Sequence, residues 1–140
     1  MPLHATFAVL EDLLDSGWIR AYGVSNFDAA QLEQALGAGA PQAVQNSHSL
    51  LDRGDEDAVV PLCASRVIAY LAFGPLAGGW LTGKYRRGQP FPHGSRMTQR
   101  PDPYKQLVRD RTFDALERLQ DFAAAGQLDA CRRARLAAWG

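Results

Sequence analysis

The chain has 140 residues, enough for one domain with a core, and its 46% hydrophobic and 21% charged residues are those of an ordinary soluble domain. Fifteen basic and fifteen acidic side chains cancel, which removes any overall electrostatic case for nucleic acid or an anionic membrane. No apolar run approaches the roughly 20 residues of a membrane span, and the two distant cysteines, Cys63 and Cys131, match no metal spacing and read as reduced thiols of a cytoplasmic protein.

In chain order, Met1 to His4 leads straight into an amphipathic helix rather than a signal peptide. That helix runs from Leu3 to Ser16, with Phe7, Leu10 and Leu14 on one stripe and Gly17 as its stop. Ile19 to Val24 is expected as the first strand. Asp28 caps a helix whose inner face is Ala29, Leu32, Ala35 and Leu36. Gln42 to Gln45 is a second strand, and Asn46 to Arg53 a polar loop. Asp55 to Ser65 is a third helix, in which Pro61 is expected to introduce a kink. Val67 to Phe73 is a third strand, apolar almost throughout and therefore expected to be covered on both faces. Gly74 to Pro103, rich in Gly and Pro, is expected to be a long irregular loop. A helix then runs from Asp102 or Pro103 to Ala124, with Tyr104, Leu107, Val108, Leu116, Leu119 and Phe122 inward.

Strands alternating with helices predict an α/β fold of about three parallel strands with flanking helices. Short strands and short linkers suit a (β/α)8 TIM barrel, yet such a barrel takes about 250 residues. The expectation is an open three-stranded domain or a partial barrel.

In either architecture three strand ends share one face, where parallel sheets bind ligands. They carry Ser25 and Asn26, then Gln45 and Asn46, then Phe73 and Gly74. Ser, Asn and Gln are uncharged donors and acceptors that orient a planar amide without acid–base chemistry, and Phe73 offers a ring to stack on. Any one of these residues is equally explained as a cap of local backbone; together they favour a ligand. The run Gly74-Pro75-Leu76-Ala77-Gly78-Gly79 through Lys84 is a Gly-rich loop after a strand, suited to phosphate, with Lys84 adding charge. It is not a P-loop, because Tyr85 stands where Ser or Thr must hold magnesium. A dinucleotide fingerprint is absent. Ser25, His48 and Asp52 lack the elbow of a hydrolytic triad, and no metal-ligand spacing occurs.

These segments closely resemble the aldo-keto reductase family. The matching residues are Gly17-Trp18-Ile19-Arg20 through Gly23-Val24-Ser25-Asn26-Phe27, then Gln45 with Leu50-Leu51-Asp52-Arg53. They continue with Phe73 through Tyr85 and end with Gly94-Ser95-Arg96. The resemblance runs from about Leu3 to Ala125 and implies a (β/α)8 barrel that reduces aldehydes and ketones with NADPH. It implies that Ser25, Asn26 and Gln45 bind the nicotinamide carboxamide and that Phe73 stacks on its ring. Gly74, Pro75, Leu76 and the loop toward Lys84 would lie along the pyrophosphate.

The family's catalytic Asp, Tyr, Lys and His precede the segment matching Leu3, so no catalytic residue is assigned and the chain alone is expected to be inactive. Whether its remaining cofactor wall binds NADPH unaided is a question for titration. Residues 126–140 depart from the family with Arg132, Arg133 and Arg135, as a divergent or out-of-frame reading would. The expected partners are a nicotinamide cofactor, a small carbonyl substrate and a second chain that completes the barrel. Two alternatives stand beside this reading: a non-enzymatic cofactor-binding or barrel-completing module, and the remnant of a disrupted gene.

Overall fold

The computed structural model describes residues 3–125, and the expected tail at 126–140 lies outside them. The chain divides into two compact units, residues 3–47 with 54–73 and residues 48–53 with 74–125.

The first unit contains α1 (Leu3–Asp15), β1 (Gly23–Ser25), α2 (Ala29–Ala38), β2 (Ala43–Ser47), α3 (Val59–Arg66) and β3 (Ala69–Phe73). The strands form one parallel sheet in the order β1-β2-β3. Val24 stands opposite Val44 and Val44 opposite Tyr70, while Ser25, Gln45 and Leu71 form the next row. Leu32, Val44, Val59, Cys63 and Ile68 make one buried cluster on the helix side, and Phe7, Tyr22 and Ala35 another.

Local chemistry explains the element ends. Asp28 accepts the Gln31 backbone N–H at 2.8 Å while the Gln31 side chain accepts the Asp28 N–H at 3.0 Å, a reciprocal capping box that starts α2. The first strand is shorter than expected and begins at Gly23. Trp18 and Ile19 donate their N–H groups back to Leu13, closing the end of α1, and Tyr22 gives its N–H to the Gln42 side chain. Gly23 has no freedom to be larger: a Cβ there would stand 2.5 Å from the Ala43 carbonyl oxygen. α3 begins at Val59, not Asp55, so Pro61 sits in its first turn, where its missing N–H costs no helical bond. The expected kink is therefore absent. Val67 belongs to the end of α3 and not to a strand; it takes a left-handed conformation (φ 57°) and is 94% exposed.

The third strand is not covered on both faces. Tyr70 and Ala72 are half-buried, but Leu71 and Phe73 are 48% and 60% exposed. The sheet is packed by helices on one side, and the opposite side stays bare among the described residues.

The second unit corrects the expectation of a long irregular loop. A 3-10 segment (Ala77–Thr82), α4 (Arg96–Gln99), another 3-10 segment (Asp102–Leu107) and α5 (Asp110–Ala125) occupy it. Their core is Trp80, Leu81, Tyr85, Met97, Leu107 and Leu116, with Phe91 and Phe113 packed against it. Trp80 lies 4.9 Å from Tyr85 and 5.5 Å from Phe113, ring centre to ring centre. A buried ring of this size removes ~150–250 Å² from water and contributes about 4–6 kcal/mol. That outweighs the unpartnered Trp80 Nε1–H, which costs about 1–3 kcal/mol. Val108 and Phe122, expected to face inward, are 48% and 60% exposed.

Candidate functional site

Side chains alternate across a strand, so register decides which residues share a face. Ser25, Gln45, Ser47, Leu71 and Phe73 all fall on the bare face, with Ser25 beside Gln45 and Ser47 beside Phe73. They lie at or near the carboxyl ends of the strands. The Ser25 hydroxyl donates to the Gln45 carbonyl at 3.0 Å, and the Asn26 N–H donates to the same oxygen at 3.0 Å. This ties the end of β1 to β2. Asn26 adopts a left-handed turn (φ 59°) that Asn tolerates better than most residues. The side-chain amides of Asn26 and Gln45 make no hydrogen bond among the described residues and are exposed.

Asn46, expected beside Gln45, faces the other way. Its side chain is 6% exposed and donates to the Phe27 carbonyl at 2.7 Å and to Asp55 Oδ2 at 2.7 Å. Tyr70 donates its hydroxyl to the same Asp55 oxygen at 2.8 Å. This network braces β2, β3 and the segments after β1 and β2 from behind, a role the sequence reading missed. Nearby Cys63 is buried, and burial together with the Asp55 charge pushes its thiol pKa up, which keeps it protonated.

Tyr22 is equally committed to structure. Its hydroxyl donates to Glu11 Oε1, and the Ala40 N–H donates to Glu11 at 2.8 Å and to the Tyr22 oxygen at 2.7 Å. Burial and the Glu11 carboxylate push the Tyr22 pKa up to about 12, and the Tyr22 hydrogen bond holds Glu11 below its ordinary value.

In the second unit, Gly74, Pro75 and Leu76 are half-buried at the start of the Gly-rich turn, where Ala77 donates to the Gly74 carbonyl at 2.7 Å. Lys84 folds back over this turn: a Cβ on Gly79 would stand 2.6 Å from its Nζ. The Lys84 ammonium lies 5.3 Å from the Tyr85 ring centre, and Tyr85 itself is buried. Arg87 ties its loop to α5 through Asp110 (2.7 Å), Asp114 (2.5 Å) and Glu117 (3.0 Å), a set that pushes its pKa up. Among the described residues no His, Cys, Asp or Glu group has the arrangement of a metal site. No helix among them is long and apolar enough to cross a membrane.

The profile of the aldo/keto reductase family matches residues 1–132. The chain belongs to the aldo/keto reductase family. Among individual aldo/keto reductase relatives, it is 33% identical over 126 residues to the NADH-specific methylglyoxal reductase of Escherichia coli (strain K12), which covers 90% of the chain and 38% of that protein. The glycerol dehydrogenase AKR11B4 from Gluconobacter oxydans superposes with a TM-score of 0.78 at 25% identity, over 96% of the chain and 41% of that structure. An aldo/keto reductase from Klebsiella pneumoniae, solved with NADP and acetate, superposes with a TM-score of 0.61 at 26% identity, over 97% of the chain and 38% of that structure. The chain thus spans about two fifths of the length of these relatives. Its three parallel strands and flanking helices are part of the family's (β/α)8 barrel.

Proposed function

We propose that this chain is the nicotinamide-facing part of an NADPH-dependent reductase of small aldehydes and ketones. The observation that carries the reading is the exposed sheet face on which Ser25, Gln45 and Phe73 lie in register at the carboxyl ends of parallel strands. The free amides of Asn26 and Gln45 each donate and accept, matching a planar carboxamide. The Ser25 hydroxyl, donating to the Gln45 carbonyl, keeps lone pairs to accept an amide N–H. Phe73 offers a ring face to the nicotinamide. Gly74, Pro75, Leu76 and Lys84 are assigned to the pyrophosphate, with Lys84 bringing the charge. When bound, the reduced nicotinamide supplies the hydride that converts the carbonyl to an alcohol.

Three of the chain's four tyrosines are committed elsewhere and do not supply the accompanying proton. Tyr22 is bound to Glu11 and Ala40, Tyr70 to Asp55, and Tyr85 is buried. The chain alone is therefore expected to show no turnover with NADPH and a panel of aldehydes, and turnover above a heat-treated control would overturn that statement. Parallel titrations with NADPH and NADH test the cofactor preference. Equal or tighter NADH binding would reverse it, in line with the name of the Escherichia coli relative.

The bare sheet face supports one further element of the reading. β1 and β3 each pair on one side only among the described residues. An eight-stranded barrel closes both edges and buries Leu71 between strands. The remaining β/α units of such a barrel, supplied as a polypeptide, are the partner these edges fit. Co-expression with such a polypeptide is expected to restore carbonyl reduction, and a soluble complex without activity would contradict it. The same reading assigns residues 1–125 to the barrel and 126–140 to a divergent tail. It places the protein in the cytoplasm, where a buried free Cys63 stays reduced.

A further inference from the structure

α5 has two differently treated charged faces. Asp110, Asp114 and Glu117 all converge on Arg87. Arg111 and Arg118, seven residues apart and so on one helical face, make no ion pair among the described residues. They border a cleft of about 310 Å³ together with Arg109. Arg109 is held in place by its own Nε–H, which donates to the buried Thr112 hydroxyl at 3.4 Å. The rest of the lining is apolar apart from Asp114 and Thr112: Ala115 lies between the two helix arginines in sequence, and Leu50 and Leu51 come from the preceding loop. The charge of Asp114 is already matched by Arg87 at 2.5 Å.

Three guanidinium groups around one concavity repel each other, and an anion relieves that repulsion with charge-assisted hydrogen bonds. A volume near 300 Å³ lies at the small end of ligand sites, which are apolar pockets with a few convergent polar groups. This cleft is more polar, with five polar or charged side chains among its eight lining residues, as an anion site requires, and nothing in the cofactor assignment uses it. We propose that this cleft binds a small organic phosphate. The dianionic head bonds Arg109, Arg111 and Arg118, and a short apolar body rests on Leu50, Leu51 and Ala115. All of these residues belong to the second unit, so the site is complete within it.

Phenyl phosphate, inorganic phosphate and benzyl alcohol are the probes, titrated into the full chain and followed by backbone-amide and methyl NMR. Phenyl phosphate is expected to bind saturably, about tenfold more tightly than inorganic phosphate, and to shift Leu50, Leu51, Thr112 and Ala115. Benzyl alcohol is expected to leave those signals unmoved. The R111A/R118A variant is expected to weaken phenyl phosphate at least about tenfold, the size of one lost charge-assisted hydrogen bond, while R66A in the other unit does not. Equal affinity for the two phosphates, shifts confined to residues 74–84, or undiminished binding by the double variant would overturn the proposal. If the double variant does not fold, the location of the shifts in the unmodified chain still decides the question.

Discussion

The two faces of the three-stranded sheet carry opposite kinds of chemistry. On the helix side, Val24, Val44 and Tyr70 pack against α2 and α3, and Asn46 on the same face spends both amide protons on protein acceptors, while its buried Oδ1 has no partner among the described residues. On the bare side, Ser25 and Gln45 keep polar capacity unspent, as does Asn26 in the turn after β1, and Phe73 keeps its ring exposed. Adjacent residues of one strand, Gln45 and Asn46, thus serve ligand chemistry and architecture respectively. The comparison teaches that residue type alone does not separate the two roles. The parity of the strand does.

The largest expected effect is on the packed side. Leu32→Ala removes a fully buried side chain and is expected to cost about 3 kcal/mol in urea denaturation, while Leu71→Ala on the bare face costs well under about 1 kcal/mol. Equal costs would break the distinction. Asn46→Ala comes next. It strips the Phe27 carbonyl and Asp55 of a buried donor and is expected to cost about 2 kcal/mol. Its neighbour gives the contrast: Gln45→Ala is expected to leave stability within about 0.5 kcal/mol and to weaken NADPH about tenfold.

Tyr22 sharpens the packed side through pH. Its pKa rises from 10.0 to about 12 in the folded chain, so the folded state holds the phenolic proton more tightly than the unfolded state. The resulting stability is fully present below pH 10 and is lost as pH climbs through 12. Tyr22→Phe is expected to flatten that alkaline fall in thermal melts. The smallest effect belongs to neither face. Val67 is β-branched, exposed and left-handed, and Val67→Gly is expected to stabilise the chain by about 0.5–1 kcal/mol.

Much of this was legible in the sequence. The Asp28-x-x-Gln31 pattern announces its own capping box, and the strand–helix alternation announces a parallel sheet. What stayed hidden depends on context a single residue does not carry. Ile19 to Tyr22 reads as a strand because it is locally apolar, yet its N–H groups go to the end of α1 and to Gln42. The expected second strand ends at Gln45 and leaves Asn46 in a loop, so the alternation that puts Asn46 on the face of buried Val44 is not carried onto it. The aromatic core of the second unit had a signal that Gly and Pro obscured. Trp80, Tyr85, Phe91 and Met97 recur through a stretch whose turns suggested a loop.

The sheet-face claim is tested most directly by the side-chain amide signals of three residues during NADPH titration of the full chain. The account predicts that the NH2 resonances of Asn26 and Gln45 shift saturably while that of Asn46 stays in place. Movement of Asn46 without the other two, or no saturable change at Asn26 and Gln45, would contradict it.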